Sequence, residues 1–131
     1  MNRTRVLLAE DHADVAEQLR GVLASEFEVV GTVGDGQCLV EAADTLNPDV
    51  IVTDIAMPGL DGIAAARVIR ERHPDARIVL VTVHDDRALV QQGFAVGVLG
   101  YVLKLAAGDD LLPAVHAAVA GKRFVSQGVV S

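Results

Sequence analysis

Residues Val50–Gly62 read VIVTDIAMPGLDG and predict one strand–loop–helix unit of an α/β protein. The stretch begins with four apolar or β-branched residues in succession, which is typical of a strand buried on both faces of a parallel sheet. Asp54 follows this strand directly. Asp61 stands at the position of a helix N-cap, because helical spacing runs from residue 62 to residue 72 and stops before Pro74.

The same unit recurs along the chain. Short continuous apolar runs predict strands at residues 6–9, 29–30, 50–53, 78–82 and 101–103. Segments with helical spacing lie between and after them, at residues 15–23, 39–46, 62–72, 87–96 and 111–120. Pro113 suits a first helical turn only if the last helix begins at Asp109 or Asp110. Five strand–helix units in succession predict a three-layer α/β sandwich with right-handed crossovers.

Length and composition exclude several classes of protein. The chain has 131 residues, 51% of them hydrophobic and 22% charged, which predicts one folded domain. A formal net charge of −7 disfavours direct binding to nucleic acid. The single cysteine, Cys38, excludes a disulfide scaffold and is expected to face the core. Neither a membrane span nor a signal peptide is recognisable, so a cytoplasmic location is expected.

Polar residues that could carry chemistry follow four of the predicted strands. Glu10 and Asp11 come after the first strand and Asp54 after the third, so three carboxylates meet at one rim if those strands are neighbours. Clustered carboxylates need a cation, and oxygen ligands suit Mg²⁺. An aspartate beside such an ion can accept a phosphoryl group as a nucleophile. Thr82, the last residue of the fourth strand, and Lys104, directly after the fifth, would then contact the phosphoryl oxygens.

These motifs resemble the receiver domain of bacterial two-component response regulators, from Arg5 to Val125. The resemblance rests on four elements in order, namely Glu10-Asp11, Asp54–Gly62, Thr82 and Gly100–Lys104. It implies a flavodoxin-like doubly wound (βα)5 sandwich with a five-stranded parallel sheet of order 2-1-3-4-5. The implied function is that of a phosphorelay signal receiver, a switch that catalyses its own phosphorylation and dephosphorylation.

The resemblance also implies a role for each site residue. Asp54 is the implied phospho-acceptor. Mg²⁺, with Mn²⁺ as an alternative, would be held by Asp11, Asp54 and the backbone carbonyl of Ala56, with Glu10 acting through water. Thr82 and Lys104 would contact the phosphoryl group, and Tyr101 would be the aromatic switch residue. His12 is expected to be solvated rather than a metal ligand, because Mg²⁺ prefers oxygen.

The sequence around Asp11-His12, His84–Asp86 and Gly121–Val125 is most similar to receivers of the NarL/FixJ class, in which a LuxR-type helix-turn-helix follows. Residues 1–125 are therefore expected to form the receiver domain, and residues 126–131 a tail or the start of a linker. The implied partners are a sensor histidine kinase and a second copy in a homodimer. Contact with DNA would occur only through an output domain outside this chain.

Several positions depart from the family pattern, among them Glu10, where the commoner residue of the acidic pair is aspartate, and Val98 and Leu99, in a turn that is usually smaller and more polar. Ala56 carries no polar side chain two residues after the acceptor, whereas His84 adds one two residues after Thr82, so the phosphoryl lifetime stays open. Leu105 replaces a common proline, which puts the usual cis bond after Lys104 in doubt. Leu105 also belongs to a set, completed by Val96, Val98 and Leu99, that predicts an apolar partner surface if its members are exposed. The alternative is that they pack inward.

Three other functions are alternatives to the receiver hypothesis. A covalent Mg²⁺-dependent phosphohydrolase would need an acid–base carboxylate at position 56, which is alanine. A flavin-binding protein would need a glycine- and hydroxyl-rich loop after the first strand, where residues 10–14 read EDHAD and would repel the flavin's phosphate. A receiver that works as an unphosphorylated interaction module is the third, disfavoured by the intact acceptor and Lys104.

Overall fold

A computed structural model describes residues 3–129 of the chain. The strands are β1 (Arg5–Ala9), β2 (Glu28–Val33), β3 (Val50–Thr53), β4 (Ile78–Thr82), β5 (Gly100–Leu103) and β6 (Phe124–Val125). The helices are α1 (Ala13–Ala24), α2 (Gly36–Leu46), α3 (Gly62–Arg72), α4 (Arg87–Ala95) and α5 (Ala107–Val119). A 3₁₀ turn at Lys104–Ala106 leads from β5 into α5. The predicted alternation of strands and helices is confirmed.

The strands form one parallel sheet in the order β2-β1-β3-β4-β5-β6. The predicted order 2-1-3-4-5 is therefore right, but the prediction of five strands is wrong. The sixth strand pairs Phe124 with Gly100 and Val125 with Tyr101 along the outer edge of β5. A two-residue strand is too short to leave a hydrophobic pattern in the sequence, and pairing with β5 is what defines it.

The chain passes from β1 to β2 on one side and then crosses to β3 on the other side of β1. This reversal is the switch point of a doubly wound sheet, where the carboxyl ends of two neighbouring strands face an open crevice. Ala9 and Thr53, the last residues of β1 and β3, are paired in register. The residues that follow them therefore start from adjacent positions.

Alternate strand residues form two cores on opposite faces of the sheet, because successive side chains of a strand point to opposite sides. On one face, Leu7 and Ile51 pack with residues of α2, α3 and α4. On the other face, Leu8 and Val52 pack with residues of α1 and α5. Residues of β1, β3 and β4 contribute to both clusters, which explains their continuous apolar runs.

Two helix starts follow from their caps. The predicted cap Asp61 accepts a hydrogen bond from the Ala64 amide at 2.8 Å and opens α3. Asp35 accepts from the Cys38 amide at 2.7 Å and opens α2. The cap directs Leu39 into the core, so Cys38 is exposed. The expectation that this thiol faces the core is wrong.

Helix α5 begins at Ala107 and continues through Pro113, so its expected start at Asp109 or Asp110 is wrong. The 3₁₀ turn already winds the chain before the helix, and buried residues such as Leu111 and Ala114 hold α5 against the sheet. Proline has no backbone N–H, so the carbonyl four residues earlier loses its helical partner. Packing on the sheet outweighs this loss.

The predicted apolar surface does not form as a set. Val98 is buried, and Val96 and Leu99 are half-buried against the cores. Leu105 alone of the four is exposed, at 96%. The bond after Lys104 is trans, since the described residues contain no cis peptide. Across residues 3–129, no helix combines the length and apolar character needed to cross a bilayer.

Candidate functional site

The three carboxylates predicted to meet at one rim lie at the ends of β1 and β3. The Asp54 amide donates to the carbonyl of Ala9 at 3.0 Å, so the β1–β3 ladder continues one residue beyond the strands. Glu10 and Asp54 are only 3% and 5% exposed. The Asp11 side chain is more open, at 25% exposure. The sheet register thus buries two acidic side chains that water would otherwise solvate.

Lys104 reaches these carboxylates from the end of β5. Its Nζ lies 2.8 Å from Asp54 Oδ2 and 2.6 Å from Glu10 Oε1. Burial lowers the pKa of the Lys104 ammonium, but the hydrogen bond to Asp54 and the negative charges of Asp54 and Glu10 outweigh it, so the pKa lies above its ordinary value. The ammonium therefore stays charged and neutralises part of the acidic cluster.

The Lys104–Glu10 contact is a charge pair rather than a well-directed hydrogen bond. Although Nζ is 2.6 Å from Glu10 Oε1, this buried oxygen has no hydrogen-bond partner of acceptable geometry. A buried carboxylate oxygen without a directed donor is costly unless another positive group serves it. Three carboxylates also exceed one ammonium by two formal charges, which matches a divalent cation. The donor set thus fits Mg²⁺.

The β3–α3 loop supplies a further oxygen. Ala56 is exposed, and within residues 3–129 no backbone or side-chain group donates to its carbonyl. The loop is held from both sides, since the Gly62 amide donates to the carbonyl of Ile55 at 2.7 Å and the Ile55 amide donates to Asp54 Oδ1 at 2.7 Å. The Ala56 carbonyl is therefore free for a ligand.

Gly62 fixes the backbone of Asp54 by close approach. A Cβ atom at Gly62 would lie 1.9 Å from the Asp54 carbonyl oxygen, so only glycine fits at the start of α3. Sequence reasoning assigned Gly62 only to the helix start and missed this contact. Its signal is weak, because a glycine after an N-cap aspartate has several structural explanations.

Thr82 and Tyr101 converge on the loop between β4 and α4. Thr82, fully buried, accepts a hydrogen bond from the His84 amide through Oγ1 at 3.3 Å. The Tyr101 hydroxyl donates to the His84 carbonyl at 2.6 Å, and the tyrosine is also fully buried. Burial, and to a smaller extent the charges of Asp86, Asp85 and Asp54, raises the pKa of Tyr101 to about 12. Thr82 therefore binds the amide of His84 and Tyr101 binds its carbonyl. The sequence did not reveal this link between the two side chains.

His12 lies closer to the site than expected. Its Nδ1 is 3.2 Å from Glu10 Oε2 and 3.2 Å from Asp11 Oδ1. The three side chains form the one cluster of metal-ligating side chains found in the described part of the chain. Sequence reasoning placed His12 in solvent, and its side chain is indeed 69% exposed, but the ring nitrogen points to the carboxylates.

The chain is similar to known proteins in both sequence and fold. Residues 6–116 match the sequence model of the family described as the response regulator receiver domain. The transcriptional regulatory protein DegU of Brevibacillus brevis is 35% identical over 126 residues, which are 95% of this chain and 53% of the relative. This chain spans between 53% and 60% of the length of several curated relatives that it matches.

Two solved structures show the same fold. A LuxR-family two-component response regulator from Aurantimonas sp. SI85-9A1 superposes with a TM-score of 0.93 at 32% identity, covering 98% of this chain and 93% of the other. The isolated REC domain of RcsB from Salmonella enterica serovar Typhimurium, solved in the presence of the phosphomimetic BeF3-, gives a TM-score of 0.88 at 31% identity. The coverage is 98% of this chain and 96% of that one.

Proposed function

This chain belongs to the response regulator receiver domain family and is a phosphorelay signal receiver, and from that premise we propose that Asp54 accepts the phosphoryl group. The observation that carries the proposal is the buried Asp54 carboxylate at the switch point, with the Lys104 ammonium at 2.8 Å. Among the described carboxylates, Asp54 combines burial at a strand end with a second acidic side chain and a lysine on the same rim.

The transfer needs little chemistry from the protein beyond positioning and charge. An Asp54 carboxylate oxygen forms a bond to phosphorus as the bond from phosphorus to the donor breaks, and the donor's imidazole or acyl oxygen leaves with that electron pair. Lys104 exchanges part of its contact with Asp54 for the phosphoryl oxygens, and the Thr82 hydroxyl donates to another of them. Ile55, whose amide bonds Asp54 Oδ1, keeps the acceptor oriented.

The residues that would hold Mg²⁺ are Asp11, Asp54 and the carbonyl of Ala56, with Glu10 acting through water. The unsatisfied oxygen of buried Glu10 and the free Ala56 carbonyl support this assignment. When bound, the cation supplies positive charge that lowers the repulsion between the acidic cluster and the incoming phosphoryl group. Mn²⁺ fits the same donors.

The output of the site runs through Thr82 and Tyr101. When the Thr82 hydroxyl turns to a phosphoryl oxygen, the His84 amide loses its acceptor, and the bond from Tyr101 to the His84 carbonyl is free to rearrange. This shifts an existing equilibrium of the β4–α4 loop, α4 and β5. Dephosphorylation by water would restore it, with Ala56 and His84 flanking the line of attack and setting the phosphoryl lifetime.

The partners belong to the same proposal. The phosphodonor is a sensor histidine kinase in the cytoplasm, and the shifted α4–β5 face controls a homodimer or an output domain. Relatives that are longer than this chain are named as transcriptional regulatory proteins, and the solved RcsB structures include a DNA complex. Contact with DNA would come through such an output domain, in accord with the net charge of −7 on this chain.

Intact mass after incubation with Mg²⁺ and a small acyl phosphate tests the proposal. Wild type and the control Asp75→Asn, which changes an exposed aspartate away from the site, should each gain one phosphoryl group. Asp54→Asn, or wild type with excess chelator, should gain none. Equal labelling of Asp54→Asn and wild type would contradict it. If hydrolysis outpaces detection, binding of beryllofluoride to wild type but not to Asp54→Asn gives the same answer.

A further inference from the structure

The cation site proposed above contains only oxygen ligands, but a ring nitrogen of His12 lies beside it. Its ring is largely in solvent and is free to point away from the protein. Nδ1 instead lies 3.2 Å from one oxygen of Glu10 and 3.2 Å from one oxygen of Asp11. The His12 amide also donates to Glu10 Oε2 at 3.1 Å, which holds that oxygen close to Nδ1 of the same residue.

The two oxygens of Glu10 face different groups. Oε1 lies toward Lys104 at 2.6 Å, whereas Oε2 lies toward the amide and ring of His12. The Glu10 side chain is fully buried, so neither oxygen can turn to bulk water. The ligand-bearing atoms of Glu10, Asp11 and His12 lie within 4.8 Å of one another. The His12 nitrogen and an Asp11 oxygen are thus close enough to share a single cation, with Glu10 beside them acting through water.

We propose that His12 is a nitrogen ligand of the cation site and makes it selective for nitrogen-accepting transition cations, such as Co²⁺, Ni²⁺ or Zn²⁺, over Mg²⁺. Imidazole nitrogen binds these cations well, whereas Mg²⁺ prefers oxygen and keeps its waters. Mg²⁺ still binds through the carboxylates, and His12 adds affinity only where the metal accepts nitrogen. The proposal rests on the cation site of the proposed function and deepens it.

A purely structural role of His12 makes a different prediction. If the ring only holds Glu10 in place through hydrogen bonding, its removal disturbs the site for every cation alike. If the ring is a ligand, its removal weakens transition cations selectively. Transition cations bind most sites more tightly than Mg²⁺, so a preference in wild type alone decides nothing. The informative quantity is how much each affinity changes on substitution.

The experiment titrates Co²⁺ and, separately, Mg²⁺ into wild type, His12→Asn and the control His116→Asn, using calorimetry for both ions and the visible spectrum of bound Co²⁺. His116 is also an exposed histidine paired with a carboxylate, Glu26, but lies on α5. We expect His12→Asn to weaken Co²⁺ about tenfold or more, since even outer partners of metal ligands are worth about 10–100-fold. Mg²⁺ affinity should change less than about twofold, and His116→Asn should match wild type.

Equal loss of both ions in His12→Asn, or no loss of Co²⁺, would overturn the proposal. Circular dichroism of the variant confirms that it is folded before either result is read. Phosphorylation of Asp54 is measured on the same samples by intact mass with Mg²⁺. A selective Co²⁺ loss without labelling would uphold the ligand role of His12 and refute the acceptor role of Asp54, so the two failures are distinguishable.

Discussion

Lys104 is the only lysine or arginine within ion-pair distance of Glu10 and Asp54 in residues 3–129. Its position is forced by topology, because β5 ends beside β4 and the side chain must cross the rim to reach the β1 and β3 ends. Removing it would leave two buried carboxylates facing each other with no ammonium between them. We therefore expect Lys104 to affect stability as well as the proposed phosphoryl transfer.

Lys104→Met should lower the free energy of unfolding at neutral pH by about 1–3 kcal/mol, the cost of leaving buried charged groups without a partner. Lys122→Met serves as the matched control, because Lys122 is exposed, and it should change stability by less than about 0.5 kcal/mol. Urea unfolding of both variants measures the difference. Equal stabilities would mean that the carboxylates are solvated and that Lys104 does not neutralise them.

Tyr101 is the chain's single tyrosine, and there is no tryptophan, so the tyrosinate absorbance titration reports this residue alone. We expect a pKa of about 12 in the folded protein. In the unfolded chain the tyrosine ionises near pH 10, about two units lower. Between about pH 10 and pH 12 the unfolded state is therefore ionised while the folded state is still protonated, and stability falls as the pH rises through this range. Lys104, whose folded pKa is also raised, acts in the same direction in alkali.

Tyr101→Phe should remove part of this alkaline loss of stability and leave the part due to Lys104. Unfolding free energies of both proteins at neutral pH and at pH about 11 give the comparison. A wild-type tyrosine that titrates at its ordinary pKa would show that the ring is solvated. If both proteins lose the same unfolding free energy at high pH, the loss comes from other groups and not from Tyr101.

At the scale of secondary-structure elements, two helix glycines differ in their surroundings. One lies directly against the backbone of another element, and the other lies on an open helix surface. Gly62 at the start of α3 has no room for a Cβ atom beside Asp54, whereas Gly21 in α1 has open space around it. Gly62→Ala should destabilise the fold by about 1–3 kcal/mol and slow phosphorylation, because the Asp54 backbone must move. Gly21→Ala should stabilise it by about 0.5–1 kcal/mol.

Thermal unfolding and the rate of labelling by acyl phosphate test this pair. A tolerated Gly62→Ala variant with normal labelling would mean that α3 shifts without disturbing the acceptor. Both variants make the same chemical change, so the comparison isolates the packing of the start of α3 on the end of β3.

Helices and strands could be predicted from the sequence where neighbouring residues alone determine them. The Asp61 cap and the apolar run of β3 are local signals, and both are confirmed. The start of α5 before Pro113 was missed because burial against the sheet outweighs the cost of an internal proline. Strand β6 was missed because it depends on pairing with β5 rather than on its own residues.

At the scale of the whole molecule, the chain after α5 closes the edge of the sheet. Ser126 is 2% exposed, its amide donates to the carbonyl of Tyr101, and its hydroxyl donates to Asp110 and accepts from the Leu103 amide. This segment was expected to begin a tail at residue 126. Residues 130 and 131 of that expected tail lie outside the described residues.

Ser126→Ala should lower the free energy of unfolding by about 1–3 kcal/mol, because the part-buried Leu103 amide and Asp110 carboxylate both lose their partner, the fully buried Ser126 hydroxyl. The control is Ser25→Ala, whose exposed hydroxyl bonds the carbonyl of Val22 and should matter by less than about 0.5 kcal/mol. Chemical denaturation measures both. If the two serines prove equivalent, the segment after β6 is not docked in solution.

The candidate site was largely predictable because one topological rule brings the ends of β1 and β3 together, and Glu10, Asp11 and Asp54 follow those strands. Lys104 was placed by the same rule at the end of β5. The role of His84 between Thr82 and Tyr101 and the inward turn of the His12 ring depend on side-chain directions that no spacing encodes. Such contacts arise only from the three-dimensional packing of the chain.

The acceptor role proposed for Asp54 is tested most directly by locating the phosphoryl group on the chain. Borohydride reduces an aspartyl phosphate to homoserine, and peptide mass mapping of the phosphorylated, reduced protein then identifies the acceptor. We expect homoserine at position 54 and unmodified Glu10 and Asp11. Reduction at another carboxylate, with Asp54 intact in a sample whose mass shows the phosphoryl group, would contradict it.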